Sequence, residues 1–417
     1  MRGKTAYAEK NIPTGCRGII KTPPRQLRSK KDEGLNKNQA GLVFHKLPGQ
    51  EKAGFAACPP CGIKSPPTRG ENMSESNLYS RIEEIRRELG TSLTIMGHHY
   101  QADEVIRHTD LRGDSLQLAR EAGNVKSQTI VFCGVYFMAE SAALLARQGQ
   151  RVHIPEPSAE CVMALMSPAH IVKNALKRLN SGSRRVIPLA YVNSTLDVKS
   201  VVGRYGGSVC TSSNAQTMLK WALDRGDAVL FLPDKNLGWN TADSLGMPVE
   251  DRNILAIRNK GHDLDPVADE AKLLLWPGFC YIHTRFNTYQ VELMREKHPG
   301  ALLVVHPECT PEVVAKADAA GSTSFIIKYA EEAPSGSTLI IGTEIHLVNR
   351  LARQHEGRIN IVPLAESNCI HMEQTTEQSL ANCLEAVIAG DNSFMVNAPE
   401  EHIKYATEAL ERMLNAS

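Results

Sequence analysis

The sequence predicts an α/β protein of similar α/β/α domains on parallel sheets. Two observations carry this. Short continuous apolar runs alternate with segments of helical period along most of the chain. Three motifs bearing small hydroxyl side chains also recur at intervals of roughly a hundred residues, about one small domain. The runs SLTIMGHH, QTIVFCGV, RVIPLAYVN, DAVLFLPD, ALLVVHPE, STLIIGTE and INIVPLAE are unbroken rather than alternating. Strands buried on both faces of a parallel sheet read this way. Between them, DSLQLAREAG, MAESAALLARQ, SNAQTMLKWALDR and TPEVVAKADAAG have the spacing of amphipathic helices. TTEQSLANCLEAVIAG is expected to close the globule. In such a series, ligands belong at the carboxyl ends of the strands.

Residues 1–74 differ. They are rich in Pro, Gly, Lys and Asn and show no sustained apolar period, so they are expected to be disordered or loosely attached. Their CPPC stretch, Cys58 and Cys61, has redox or zinc spacing, but no second pair lies close by to complete a zinc site. Met73 opens an amphipathic stretch and is a candidate start. The expected domains are 75–157, 158–277 and 278–417, with a surface excursion near 239–272. With 47 basic and 46 acidic residues, nothing points to nucleic acid or an anionic membrane as partner. No apolar run is long enough to span a bilayer, and the N-terminus lacks an apolar signal region. Ten cysteines dispersed over 417 residues do not resemble a disulfide scaffold. A reducing cytoplasm is the expected compartment.

The strand ends are polar. SLTIMGHHYQ ends in His98, His99 and Tyr100, PLAYVNS in Tyr191, Asn193 and Ser194, and LLVVHPEC in His306 and Glu308. These would project into the crevice above the sheets, where acid–base groups are useful. Capping by the following loop is the plainer alternative for each. GDSLQLA, TSSNAQT and GSTSFII place Ser115, Ser212 and Ser322 where helices begin, as N-caps or as holders of carboxylate or phosphate oxygens. Cys133 and Cys383 read as core residues. Cys161, Cys280 and Cys369 sit in turn-to-helix or strand-to-loop settings, one in each third of the chain. Cys280, in WPGFCYIHTRF, can be read as a core thiol, as a partner of His283, or as a metal ligand. Three dispersed thiolates do not close a structural zinc site but can hold an iron–sulfur cluster with one iron open. Cys210 and Cys309 remain competing thiols.

The series GHHYQ, GDSLQLA, FCGVYFMAES, YVNS, TSSNA, FLPDKNLG, WPGFCYIHTRF, HPECTPEVV, GSTSFII and the C-x-x-M at Cys369 resembles quinolinate synthases, in order, from about residue 90 onward. The resemblance implies three α/β domains in pseudo-threefold symmetry around a central 4Fe-4S cluster. It also implies condensation of iminoaspartate with dihydroxyacetone phosphate to quinolinate for NAD biosynthesis, with coupling to an aspartate oxidase or dehydrogenase that supplies iminoaspartate. Position by position, it implies Cys161, Cys280 and Cys369 as cluster ligands. Tyr100, Glu308 and His283 would be catalytic. His98, Ser115, Tyr191, Asn193, Ser212, His306, Ser322 and Thr323 would bind substrate. His99 stands where the family usually has Tyr or Asn, the first 72 residues have no counterpart, and the tandem Ser212–Ser213 leaves open which hydroxyl faces the ligand. An iron–sulfur dehydratase acting on a hydroxy acid, an iron–sulfur sensor and a zinc hydrolase are the alternatives.

Overall fold

The structure, a computed structural model, describes residues 75–416. The expectations for residues 1–74, including Cys58 and Cys61, lie outside the described residues.

Three parallel sheets follow one another along the chain. The first contains β1 (Leu93–His98), β2 (Leu111–Gly113), β3 (Thr129–Cys133) and β4 (Arg151–His153), in the order β2-β1-β3-β4. The second contains β5 (Val186–Tyr191), β6 (Ser208–Cys210), β7 (Ala228–Leu232), β8 (Arg252–Ile254) and β9 (Leu273–Leu275), in the order β6-β5-β7-β9-β8. The third contains β10 (Leu302–Val305), β11 (Ala319–Ala320), β12 (Thr338–Gly342) and β13 (Asn360–Pro363), in the order β11-β10-β12-β13. Every ladder between these strands is parallel. In each sheet the first strand is central, the second pairs on one side of it and the third on the other. Each sheet therefore repeats one plan.

The seven strands expected from apolar runs all form. β3, β5 and β7 are buried along their whole length, as two-sided burial demands of continuous Val, Ile and Leu. The remaining strands, of two or three residues, were not read from the sequence. The stretch 239–272 supplies β8 at the edge of the second sheet. There the Arg252 guanidinium lies 5.1 Å from the Trp239 ring centroid and meets Asp243 at 2.5 Å.

Thr376 and Ser379 cap the helix Glu377–Ala389 reciprocally, and that helix packs on Glu75–Leu89. A further helix, Glu400–Ala416, follows it and lies on Leu196–Arg204. Glycine permits this close approach, because a Cβ on Gly203 would collide with the carbonyl of Tyr405. Glu377–Ala389 is thus not the last element of the chain, contrary to expectation. One large apolar core runs through all three sheets, with smaller clusters under the first and third.

Candidate active site at the strand ends

The repeated plan sorts the polar residues by strand. The central strands β1, β5 and β10 lead into His98 and Tyr100, Tyr191 and Asn193, and His306 and Glu308. The adjoining edge strands β2, β6 and β11 lead into Asp114–Ser115, Ser212–Ser213 and Ser322–Thr323. Beyond β4, β9 and β13 come Cys161, Cys280 and Cys369. Of the catalytic, substrate-binding and ligand residues named from the sequence, all but Ser322 line one common cavity, whereas the strand-end residues His99 and Ser194, also expected to project into the crevice, do not. Ser322 Oγ instead accepts the Phe325 N–H at the start of the helix Thr323–Glu332. The other two hydroxyl motifs are capped differently from the plainer expectation: Asp114 caps Ser115–Asn124, and Asn214 precedes Ala215–Leu223. Ser115 and Ser212 are left facing the cavity.

A linked set of side chains crosses the floor. The Tyr100 hydroxyl lies 2.7 Å from Thr343 Oγ1, which lies 3.1 Å from His283 Nε2. His283 Nδ1 reaches Glu308 Oε2 at 2.6 Å and Cys280 Sγ at 3.2 Å. The His306 ring stacks on His283 with centroids 4.5 Å apart. Burial alone would raise the Glu308 carboxyl, but His306, His283 and the Tyr191 hydroxyl outweigh it and hold the group below the usual carboxylate range. Glu308 is therefore a buried anion with donors around it. Burial pushes the His98 and His306 imidazoles down to about 3, so both are neutral near pH 7. Tyr100 and Tyr191 are pushed up by burial and the nearby Glu308 charge, so each keeps its proton.

The described cysteines divide cleanly. Cys133, Cys210, Cys309 and Cys383 are fully buried free thiols, which removes Cys210 and Cys309 as competing ligands on the cavity. Cys161, Cys280 and Cys369 are free, partly exposed and on the cavity wall. Burial raises all three, Cys161 to about 12. They become thiolates when a cation takes the place of the proton. Soft sulfur donors from three strand ends suit iron or an iron–sulfur cluster. The donor atoms close enough for a single ion, within 4.8 Å of one another, belong instead to Cys280, His283 and Glu308. His283 Nδ1 there already lies against both partners, and such a site would leave Cys161 and Cys369 without a purpose. The three-cysteine set fits the residues better.

Several residues were missed by sequence reasoning. Asp114 accepts the Gln117 N–H at 2.9 Å, the Ser213 hydroxyl at 2.6 Å and the Ser324 hydroxyl at 2.8 Å, tying the three edge-strand motifs together. Ser213 is thereby occupied, while its neighbour Ser212 faces the cavity. Thr343 directly follows β12, in a run read only as a strand. Asp234, whose carboxyl burial and Glu308 push up, accepts the Cys280 N–H at 3.0 Å. A small polar residue at a third strand end was the available signal for both.

The family model described as "Quinolinate synthetase A protein" matches residues 80–415. A quinolinate synthase of Corynebacterium glutamicum is 42% identical over 84% of this chain and 90% of its own length. One from Bacillus cereus is 40% identical over 84% of this chain and 95% of its own. With the match extending through all three sheets and nearly the full length of these relatives, this chain belongs to the quinolinate synthase family, enzymes of NAD biosynthesis.

Proposed function

We propose that the cavity condenses iminoaspartate with dihydroxyacetone phosphate to give quinolinate, phosphate and water, with a 4Fe-4S cluster held by Cys161, Cys280 and Cys369 and the three sheets in pseudo-threefold arrangement around it. The observation that carries this reading is the pairing of those partly exposed thiols with cavity polar atoms that lack partners. Asn193 Oδ1 and Thr323 Oγ1 are buried without a hydrogen bond. Such atoms are costly unless a ligand satisfies them.

When bound, the cluster supplies an open iron as Lewis acid for the departing hydroxyl. The remaining work falls to side chains. Ser115 and Thr323 stand at the first turns of ten-residue helices, where amides and hydroxyls favour carboxylate and phosphate oxygens. Ser212, Tyr191, Asn193, His98 and His306 complete the substrate walls. Glu308, an anion at the centre, is the principal base, and the protonated Tyr100 is its counterpart acid. Thr343 and His283 connect the two through hydrogen bonds, so a proton taken at one end can be restored at the other. The dianionic imine must come from an enzyme oxidising aspartate, such as an aspartate oxidase or dehydrogenase. Among the described residues no helix is long and apolar enough to cross a membrane, in keeping with a cytoplasmic site of action.

The test is an anaerobic preparation of the full chain beside Cys280→Ala, assayed for iron, sulfide and quinolinate. About four irons per chain with quinolinate formed, both lost in the variant, are expected. A cluster that dehydrates a hydroxy acid without the triose phosphate would move the reading to a dehydratase. Iron without sulfide would replace the cluster with a mononuclear site.

A further inference from the structure

Tyr281 follows the proposed ligand Cys280 in the chain and lies against another, Cys369. Its hydroxyl accepts the Ile370 N–H at 3.0 Å and donates toward Cys369 Sγ at 3.7 Å. A phenol has one proton to give. Since Ile370 occupies the oxygen as acceptor, that proton points at the sulfur. The ring is fixed for the purpose: His371 meets it edge-on, centroids 6.2 Å apart at 81°, and the Arg285 guanidinium lies 5.7 Å from its centroid. The hydroxyl therefore bridges the loop after β9 and the loop after β13 at the point where both supply thiols.

We infer that Tyr281 tunes the cluster through a hydrogen bond to the Cys369 thiolate, drawing electron density from that sulfur and raising the cluster's reduction potential. This rests on the three-cysteine reading above. Hydrogen bonds to ligand sulfurs are among the levers that set such potentials. Tyr281 is a positioning residue, acting through Cys369 and not on substrate. Loss of the hydroxyl leaves Cys369 a stronger electron donor, and the reduced cluster becomes harder to form.

The test compares the anaerobic full chain, Tyr281→Phe, and a chain with 3,5-difluorotyrosine placed site-specifically at 281, which is a stronger donor. Iron and sulfide are counted, and midpoint potentials are read by spectroelectrochemical titration. The expected result is equal cluster content, a more negative midpoint in Tyr281→Phe and a more positive one with the fluorinated residue. Unchanged midpoints with the cluster intact overturn the inference and leave the cluster reading standing. A wild-type chain that holds no cluster overturns both. If Tyr281→Phe loses its cluster, the fluorinated chain alone decides, because its hydroxyl can still bridge the loops and only donor strength differs.

Discussion

Two buried histidine–carboxylate groups in this molecule look alike in composition and differ in what they leave open. At the joint between Glu75–Leu89 and Glu377–Ala389, His108 is fully buried, with Nδ1 3.0 Å from Glu83 and Nε2 2.7 Å from Glu377. Arg107 adds a second bond to Glu377 at 2.6 Å. Both ring nitrogens are committed, and His108 itself lines none of the described cavities, although its partner Glu83 edges a shallow one at the surface. His283 is equally buried against Glu308, yet its surroundings hold unpartnered polar atoms, raised thiols and a cavity. A closed polar network joins elements, whereas an open one is arranged for a ligand. The chemistry is told by what remains unsatisfied, not by residue type.

Four measurements break or sharpen that contrast. Glu308→Gln, with the cluster intact, is expected to slow single-turnover quinolinate formation by roughly 10²–10⁴-fold, the usual worth of a positioned base. An unchanged rate removes Glu308 from that role. His108→Ala should instead cost stability, about 2 kcal/mol in urea unfolding, because it removes a buried ring that joins two carboxylates and leaves Glu377 to its bond with Arg107. Its kcat should stay at the wild-type value; a matching fall in kcat would mean the joint is coupled to the site and the contrast is false. Asn193→Ala is expected to cost about 1.4 kcal/mol, roughly tenfold in kcat/KM, with thermal unfolding unchanged. A lowered melting point with normal kinetics would make Asn193 structural.

The smallest effect concerns pH. Burial holds His98 and His306 near 3, and His99 and His153 near 4, against about 6.5 in the unfolded chain. The unfolded state then binds protons that the folded state refuses. Stability should be complete above about pH 6.5 and should fall as pH drops toward 4. His153 is outside the cavity, and neither of its ring nitrogens has a partner. His153→Gln should therefore flatten the acid slope of unfolding free energy against pH, recovering about 1 kcal/mol at pH 5 in urea unfolding once solvent screening is allowed for, without altering catalysis. An unaltered slope would show that His153 gains a proton in the folded protein.

How much was legible follows chain distance and element length. β1, β3, β5, β7, β10, β12 and β13 were readable because each is an apolar run of several residues. β2, β4, β6, β8, β9 and β11 were not, since two or three residues carry no period. The hydroxyl motifs directly after β2, β6 and β11 were picked out as helix starts, without the strands that lead into them. His98, His283, His306, Tyr100, Glu308 and three cysteines were nameable from strand-end position and, above all, family resemblance, whereas His371, also on the cavity, was missed. Asp114 was passed over for its neighbour Ser115, although aspartate is among the best N-caps. Thr343 and Tyr281 gave no local sign of function.

By itself the sequence determined the parallel α/β architecture, the order of its elements and the residues chemically able to act at strand ends. Apolar runs, helical periods and caps are properties of neighbouring residues, so they survive in a linear reading. Tertiary structure alone decided that Cys161, Cys280 and Cys369 share one cavity wall and that Ser212 faces it while Ser213 serves Asp114. It alone closed His108 between two carboxylates and left the surroundings of His283 open. These outcomes depend on how three sheets pack against one another, and packing brings together side chains whose separation along the chain carries no trace of their contact.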